Sequence, residues 1–324
     1  MTEQARTTTY GVPPAHPLGL DVTMPIGRLP AARQIVADYV RLTKPRIISL
    51  LLLTAICGMY AAARGPVPWR VLVALCCAGY LAPGGANAMN CAFDGDIDKI
   101  MTRTSGRPVP SGRISRPVAF GYGVLLNVVA AIWLALATNP LAAGLALAGS
   151  IWYVGVYTIW LKRRSKENIV IGGAAGCFPV LVGWAAATGS LSLTAFLLAA
   201  VVFCWTPPHF WSLATLLRDD YRQAHVPMLP VVAPDSQTSL RMMRYAVATL
   251  VVSILPVLWG GLGVAYLVVA VLAGVRLCQL TWACRSRLDA RAAGRLFGYS
   301  LMYLAIIFLA AALDQVFTAP VFHL

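Results

Sequence analysis

The chain has 324 residues, of which 59% are hydrophobic and 12% charged, with a formal net charge of +14. That composition excludes a soluble two-domain protein and points to an integral membrane protein, in which a helix needs about 20 apolar residues to cross the hydrocarbon. The positive charge calls for no nucleic acid, because basic loops are expected at an anionic cytoplasmic leaflet.

Residues 1–37 are polar and contain prolines, and read as a disordered cytoplasmic tail without a cleaved targeting signal. Residues 38–324 read as one membrane domain. Nine apolar runs are predicted to be helices, since backbone polar groups in hydrocarbon must be satisfied internally. They cover 46–63, 71–93, 117–137, 140–160, 169–188, 194–216, 245–259, 260–277 and 297–315. The seventh and eighth form one stretch broken at Gly260-Gly261-Leu262-Gly263, where a tight turn outside the membrane is the economical reading; eight spans is the alternative. With the N-terminus inside, every Lys and Arg except Arg64 and Arg70 falls in a cytoplasmic segment. The positive-inside rule then predicts a cytoplasmic N-terminus and a C-terminus outside, in the cell inner membrane. The fold class expected is an all-α integral membrane bundle of nine helices. Most of the eight cysteines lie in or beside apolar runs and none forms a C-x-x-C pair, so they read as inert thiols.

The second run ends in Asn87-Ala-Met-Asn90-Cys-Ala-Phe-Asp94-Gly-Asp96-Ile-Asp98-Lys99. Asn90, Asp94 and Asp98 stand at i, i+4 and i+8, which puts them on one helical face. A solvated acidic helix end would account for the carboxylates alone. Clustered carboxylates repel unless a cation lies between them, and hard oxygen ligands suit Mg²⁺, typically held by one or two carboxylates plus substrate phosphates. The loop continues through Arg103, Arg107 and Arg113. Guanidinium forks match phosphate oxygens, so carboxylates for metal beside arginines for phosphate make a candidate diphosphate site. Such a site stabilises charge on a departing diphosphate, and an apolar bundle keeps water from an allylic carbocation.

The fourth run leads through Tyr157 to Lys162-Arg163-Arg164 and Asn168, and then to Gly172-Gly-Ala-Ala-Gly176, whose small residues permit close helix packing. The sixth reads Trp205-Thr-Pro-Pro-His209-Phe-Trp211, then Arg218-Asp219-Asp220-Tyr221 and Val226-Pro-Met-Leu-Pro230. Two acidic helix ends four spans apart suggest opposed halves of one active site. His209 is the only histidine of four expected at membrane depth, where an ionisable side chain is functional by default; a helix–helix hydrogen bond is the plainer alternative.

From about residue 38 to 315 the chain resembles the UbiA superfamily of intramembrane prenyltransferases. Asn90-x-x-x-Asp94-x-x-x-Asp98 is similar to its first aspartate motif, and Met101-x-Arg103-Thr with Arg107-Pro to the continuation. The run Trp205 to Trp211 with Asp219-Asp220-Tyr221 and Pro227-Met-Leu-Pro230 resembles the branch that farnesylates haem B. The resemblance implies a UbiA-type bundle, Mg²⁺ as cofactor, and farnesyl diphosphate and haem B as substrates. The 2-vinyl group of haem B would attack C1 of the farnesyl chain and water would quench the cation, leaving the hydroxyethylfarnesyl group of haem O. It assigns catalytic and metal roles to Asn90, Asp94, Asp98 and Asp220, and diphosphate binding to Arg103, Arg107 and Lys162. His209 would bind haem by ligating its iron or positioning the porphyrin. Many members carry a second Asp-x-x-x-Asp; here Leu216 stands four residues before Asp220 and Thr215 four before Asp219. Partners implied besides the bilayer are a haem A synthase or oxidase assembly factors. Rival readings are a sibling enzyme acting on an aromatic acid or quinone precursor, and a transporter, whose polar sites would lie near the midplane.

Overall fold

The computed structural model describes residues 31–259 and 261–317. Its first element, α1 (Ala31–Thr43), is a 13-residue helix. It begins inside the segment expected to be tail, of which residues 1–30 lie outside the described residues. A helix this short is marginal alone and needs tertiary anchoring. Asp38 supplies it: its carboxylate, buried, accepts from Arg113 Nε at 2.8 Å and from Nη2 at 3.2 Å. Ile35, Val36 and Val40 stay exposed along α1, as on a helix lying in a membrane interface.

Nine helices among the described residues are long and apolar enough to cross a membrane: Pro45–Ala63, Trp69–Phe93, Arg116–Ala137, Pro140–Leu161, Asn168–Thr188, Leu193–Leu216, Asp235–Leu258, Val264–Ser286 and Ala290–Phe317. They are called the first to ninth spans below. The first six coincide with the apolar runs to within two residues at each end. The last three extend beyond them into charged sequence, at Asp235, Ser286 and Ala290. Hydropathy marks where a helix meets hydrocarbon, whereas backbone hydrogen bonding continues past that point in the polar layer. The bend at Gly261–Leu262 separates the seventh and eighth spans as expected.

The first five spans form a ring in which each packs on the next and the fifth returns to the first. Spans six to nine form a second group, closed by contact of the ninth with the sixth. The ninth also lies along the first, and the fifth along the sixth, so the groups share a wall. Between apolar helices in lipid, close approach depends on small residues. A Cβ on Gly183 would overlap the Ala55 carbonyl where the fifth span crosses the first, and one on Gly85 would overlap Asn127 and the Gly123 carbonyl where the second crosses the third. All eight cysteines are free.

Candidate active site

The second span is buried almost continuously from Gly84 to Ala92 and brings Asn90 to the mouth of the first ring. The helix ends at Phe93, yet Asp94 N still donates to Asn90 O at 2.9 Å and Asp98 N to Asp94 O at 2.8 Å. The expected i, i+4, i+8 face therefore survives a turn and a restart at Ile97. Asp94 is 1% exposed and Asp98 2%. Burying two carboxylates costs several kcal/mol each unless they are paired.

Each has a cation. Lys162 Nζ donates to Asp94 Oδ2, and Arg107 Nη1 donates to Asp98 Oδ2 at 2.8 Å. A third cation, Lys44, donates from Nζ to Asn90 Oδ1 at 2.7 Å, while Asn90 Nδ2 donates to Asp94 Oδ2 at 2.7 Å and to Thr158 Oγ1 at 3.0 Å. Lys44 joins α1 to the first span with φ 55°, an uncommon conformation for a residue with a Cβ. Burial lowers its pKa to about 8, opposed by the charges of Asp98 and Asp94. Burial also works against the charge on Arg107, but the facing Asp98 carboxylate outweighs it and raises the pKa. Two carboxylates thus face three cations, an excess of positive charge that invites an anion.

Asp94 Oδ1 is buried and takes no hydrogen bond among the described residues; Arg163 Nη2 stands 3.9 Å from it. An unpartnered carboxylate oxygen beside a second carboxylate and an amide fits a hard divalent cation that completes its shell from phosphate. Among the described residues no three His, Cys, Asp or Glu side chains converge as a self-sufficient metal site. Asp96, 52% of its side chain exposed, points away from this face into a two-pronged pair with Arg163 at 2.6 and 2.7 Å, which holds its carboxyl well below the usual range.

Lys162 and Thr158 reach the site because the fourth span changes winding. Trp152–Leu161 is a π-helix, closed by Lys162 N donating to Tyr157 O at 2.8 Å. A π segment admits an extra residue per turn and commonly marks a functional site. The following 3-10 stretch, Gly173–Cys177, packs on the sixth span, where Gly173 leaves room for Thr206, while Gly172 leaves room for Tyr157.

Of the other expected residues, Arg103 is exposed and lies within electrostatic reach of Tyr157. Asp220 sits on the short helix Arg218–Gln223, half-buried, and its carboxylate makes no ion pair or hydrogen bond among the described residues. Its neighbour Asp219 is exposed and pairs with Arg222. Tyr221, next to Asp220, is buried. His209 lies apart from the carboxylates, its Nδ1 2.8 Å from Ser300 Oγ on the ninth span. Sequence reasoning missed Lys44 and Thr158. A count of basic residues assigns Lys44 only to the positive side, although its place directly before Pro45 at a span start is a signal.

Among the described residues, a bundle of nine helices fit to cross a membrane gathers buried carboxylates and cations at one end of a ring. A model of the UbiA prenyltransferase family matches residues 51–311, and the chain belongs to that family. The protoheme IX farnesyltransferase of Chloroflexus aurantiacus is 50% identical over 286 residues, 88% of this chain but 49% of that protein, so the chain spans about half the length of this relative. Protoheme IX farnesyltransferase 1 of Saccharopolyspora erythraea is 45% identical over 312 residues, 95% of this chain and 99% of that one. A UbiA homolog from Archaeoglobus fulgidus bound to DMAPP and Mg²⁺ superposes with a TM-score of 0.66 at 17% identity, covering 83% of this chain and 99% of that one, and shares the fold.

Proposed function

We propose that the chain transfers the farnesyl group of farnesyl diphosphate to the 2-vinyl group of haem B, forming the hydroxyethylfarnesyl group of haem O. The observation that carries the reading is the buried Asn90–Asp94–Asp98 face with Lys44, Arg107 and Lys162 against it and Asp94 Oδ1 unpartnered. The names of the relatives supply the acceptor, protohaem.

Asp94, Asp98 and Asn90 would hold Mg²⁺, with Asp220 contributing from the opposite helix end. Bound there, the ion supplies electrostatic stabilisation of the departing diphosphate. Arg107 and Lys162 turn from the carboxylates toward the diphosphate, joined by Arg103 at the exposed rim, and so favour cleavage of the C1–O bond with its electron pair leaving on oxygen. The apolar bundle excludes water while the vinyl group forms the new bond to C1. Water then adds to the resulting cation and loses a proton. His209 holds the porphyrin. The site faces the cytoplasm in a cell inner membrane, with the N-terminus inside and the C-terminus outside, and the product passes to a haem A synthase or oxidase assembly factor.

Purified protein in lipid nanodiscs, given haem B, farnesyl diphosphate and Mg²⁺, is expected to release diphosphate and yield a haem heavier by a farnesyl group and a hydroxyl group. With 4-hydroxybenzoate as acceptor it should yield nothing. Prenylated benzoate without modified haem would refute the assignment in favour of a sibling enzyme.

A further inference from the structure

His209 is surrounded by aromatic rings and a serine. Trp205, from its own helix, stacks on the imidazole with centroids 4.3 Å apart and planes at 16°, and Phe297, from the ninth span, stacks at 5.0 Å and 22°. Both rings lie nearly parallel to the imidazole. The Nδ1 edge is held by Ser300 Oγ at 2.8 Å, and Trp205 Nε1 donates to the Ser300 carbonyl at 2.8 Å, so one residue of the ninth span fixes both rings. Phe210 meets the imidazole edge-on at 5.4 Å.

The direction of the Ser300 bond follows from the serine's other partner. A serine hydroxyl has one proton to give, and Ser300 Oγ gives it to the Phe297 carbonyl at 2.6 Å, a usual bond for serine within a helix. Toward His209 that oxygen is an acceptor, so Nδ1 carries the imidazole proton. Nε2 then keeps its lone pair, in the ring plane and clear of the stacked faces. No hydrogen bond reaches Nε2 among the described residues, and His209 retains 8% of its surface accessible.

A neutral imidazole whose Nδ1–H is held by oxygen, with Nε2 free, is the arrangement by which histidines ligate metals. We propose that Ser300 is a positioning residue that sets His209 as an Nε2 ligand to the iron of the porphyrin acceptor. This rests on the haem reading above and adds a tautomer, a coordinating atom and a second residue to it. An axial bond lies in the imidazole plane, so a porphyrin held this way stands perpendicular to the ring, and Trp205 and Phe297 fix the rotation of that plane.

The test compares haem B with metal-free protoporphyrin IX, which has the same vinyl and propionate groups but no iron. Full-length protein in detergent is titrated with each by absorbance and fluorescence, without farnesyl diphosphate. The wild-type protein should bind haem B at least about tenfold more tightly than protoporphyrin IX, with the Soret shift of histidine ligation, and His209→Ala should erase the difference. Removing an outer-shell partner typically weakens metal binding about 10- to 100-fold, so Ser300→Ala should lose that much for haem B and nothing for protoporphyrin IX. Ser300→Thr, which keeps the hydroxyl, should retain the preference. Equal affinity of the wild-type protein for the two porphyrins overturns the proposal whatever the variants do, as does Ser300→Ala with undiminished preference for iron. Farnesylation of haem B by a protein that binds both porphyrins equally would sink the ligation while the proposed function stands. Iron-selective binding without farnesylation would do the reverse.

Discussion

Replacing Lys162 with Met isolates the charge balance of the site. The Asp94–Lys162 pair is buried, with side chains 1% and 10% exposed. Removing one partner of such a pair costs about 3–5 kcal/mol, against about 0–1 kcal/mol at a surface. Asp94 would keep the Asn90 amide at 2.7 Å and Arg163 at 3.9 Å, which favours the lower end, about 3 kcal/mol. Adding Asp94→Asn removes the stranded charge and should restore about 2 kcal/mol of that loss, although the double variant is as inactive as either single one. Mg²⁺ should stabilise Lys162→Met more than the wild type, because a carboxylate released from Lys162 is a better ligand. Denaturant unfolding in detergent, with and without Mg²⁺, reads all three effects. A Lys162→Met protein within about 0.5 kcal/mol of wild type, with no recovery on adding Asp94→Asn, would show that the pair is not the counterbalance described here.

Asp94→Ala and Asp98→Ala should each abolish diphosphate release while membrane insertion persists, whereas Asp96→Ala, altering a half-exposed carboxylate outside the ring, should keep most of the rate; equal loss in all three would contradict the geometry. Gly183→Ala should push the first and fifth spans apart and destabilise by about 2 kcal/mol in thermal unfolding, while Gly144→Ala, where a Cβ meets open space, should be neutral or better. The Asp38 carboxyl is held below its ordinary value: burial pushes it up, but the Arg113 hydrogen bonds prevail. A depressed carboxylate stabilises above its unfolded pKa of 3.8 and loses that contribution as pH falls further, so α1 should stay protected in hydrogen exchange at neutral pH and open in acid. Asp38→Asn should open it at pH 7 as well. Reporters in the 99–116 loop and after Leu324 should lie on opposite sides of the membrane, and finding both on one side would overturn the orientation.

The architecture was legible because lipid leaves few choices. A run of about 20 apolar residues crossing hydrocarbon satisfies its backbone polar groups as a helix. Asn90, Asp94 and Asp98 were legible for the same kind of reason, since the i, i+4 rule holds across the break after Phe93. Partnerships across helices were not. Nothing local to Lys44 says that it meets Asn90, and a charge count credits it only to the cytoplasmic side. Position at a helix end groups Asp220 with the first carboxylates, and the structure places it on a separate short helix without a partner among the described residues. His209 read correctly as buried and polar, yet its tautomer depends on a serine 91 residues away. The ends of the last three spans were misjudged because helix and hydrocarbon were treated as having the same length.

The π-helical winding of Trp152–Leu161 makes the fourth span intolerant of changes in length that its apolar composition would otherwise permit. Deleting one residue there would let the segment relax to α-helix with every apolar contact type still available. Yet at about 100° per residue the deletion would swing Thr158 and Lys162 relative to the residues before them. Asn90 and Asp94 would then face a different side of the helix. Many substitutions could pass along this lipid-facing wall, but a frame of one residue could not, so homologous sequences that conserve the chemistry should keep the spacing between Tyr153 and Lys162 even where the residues between them vary.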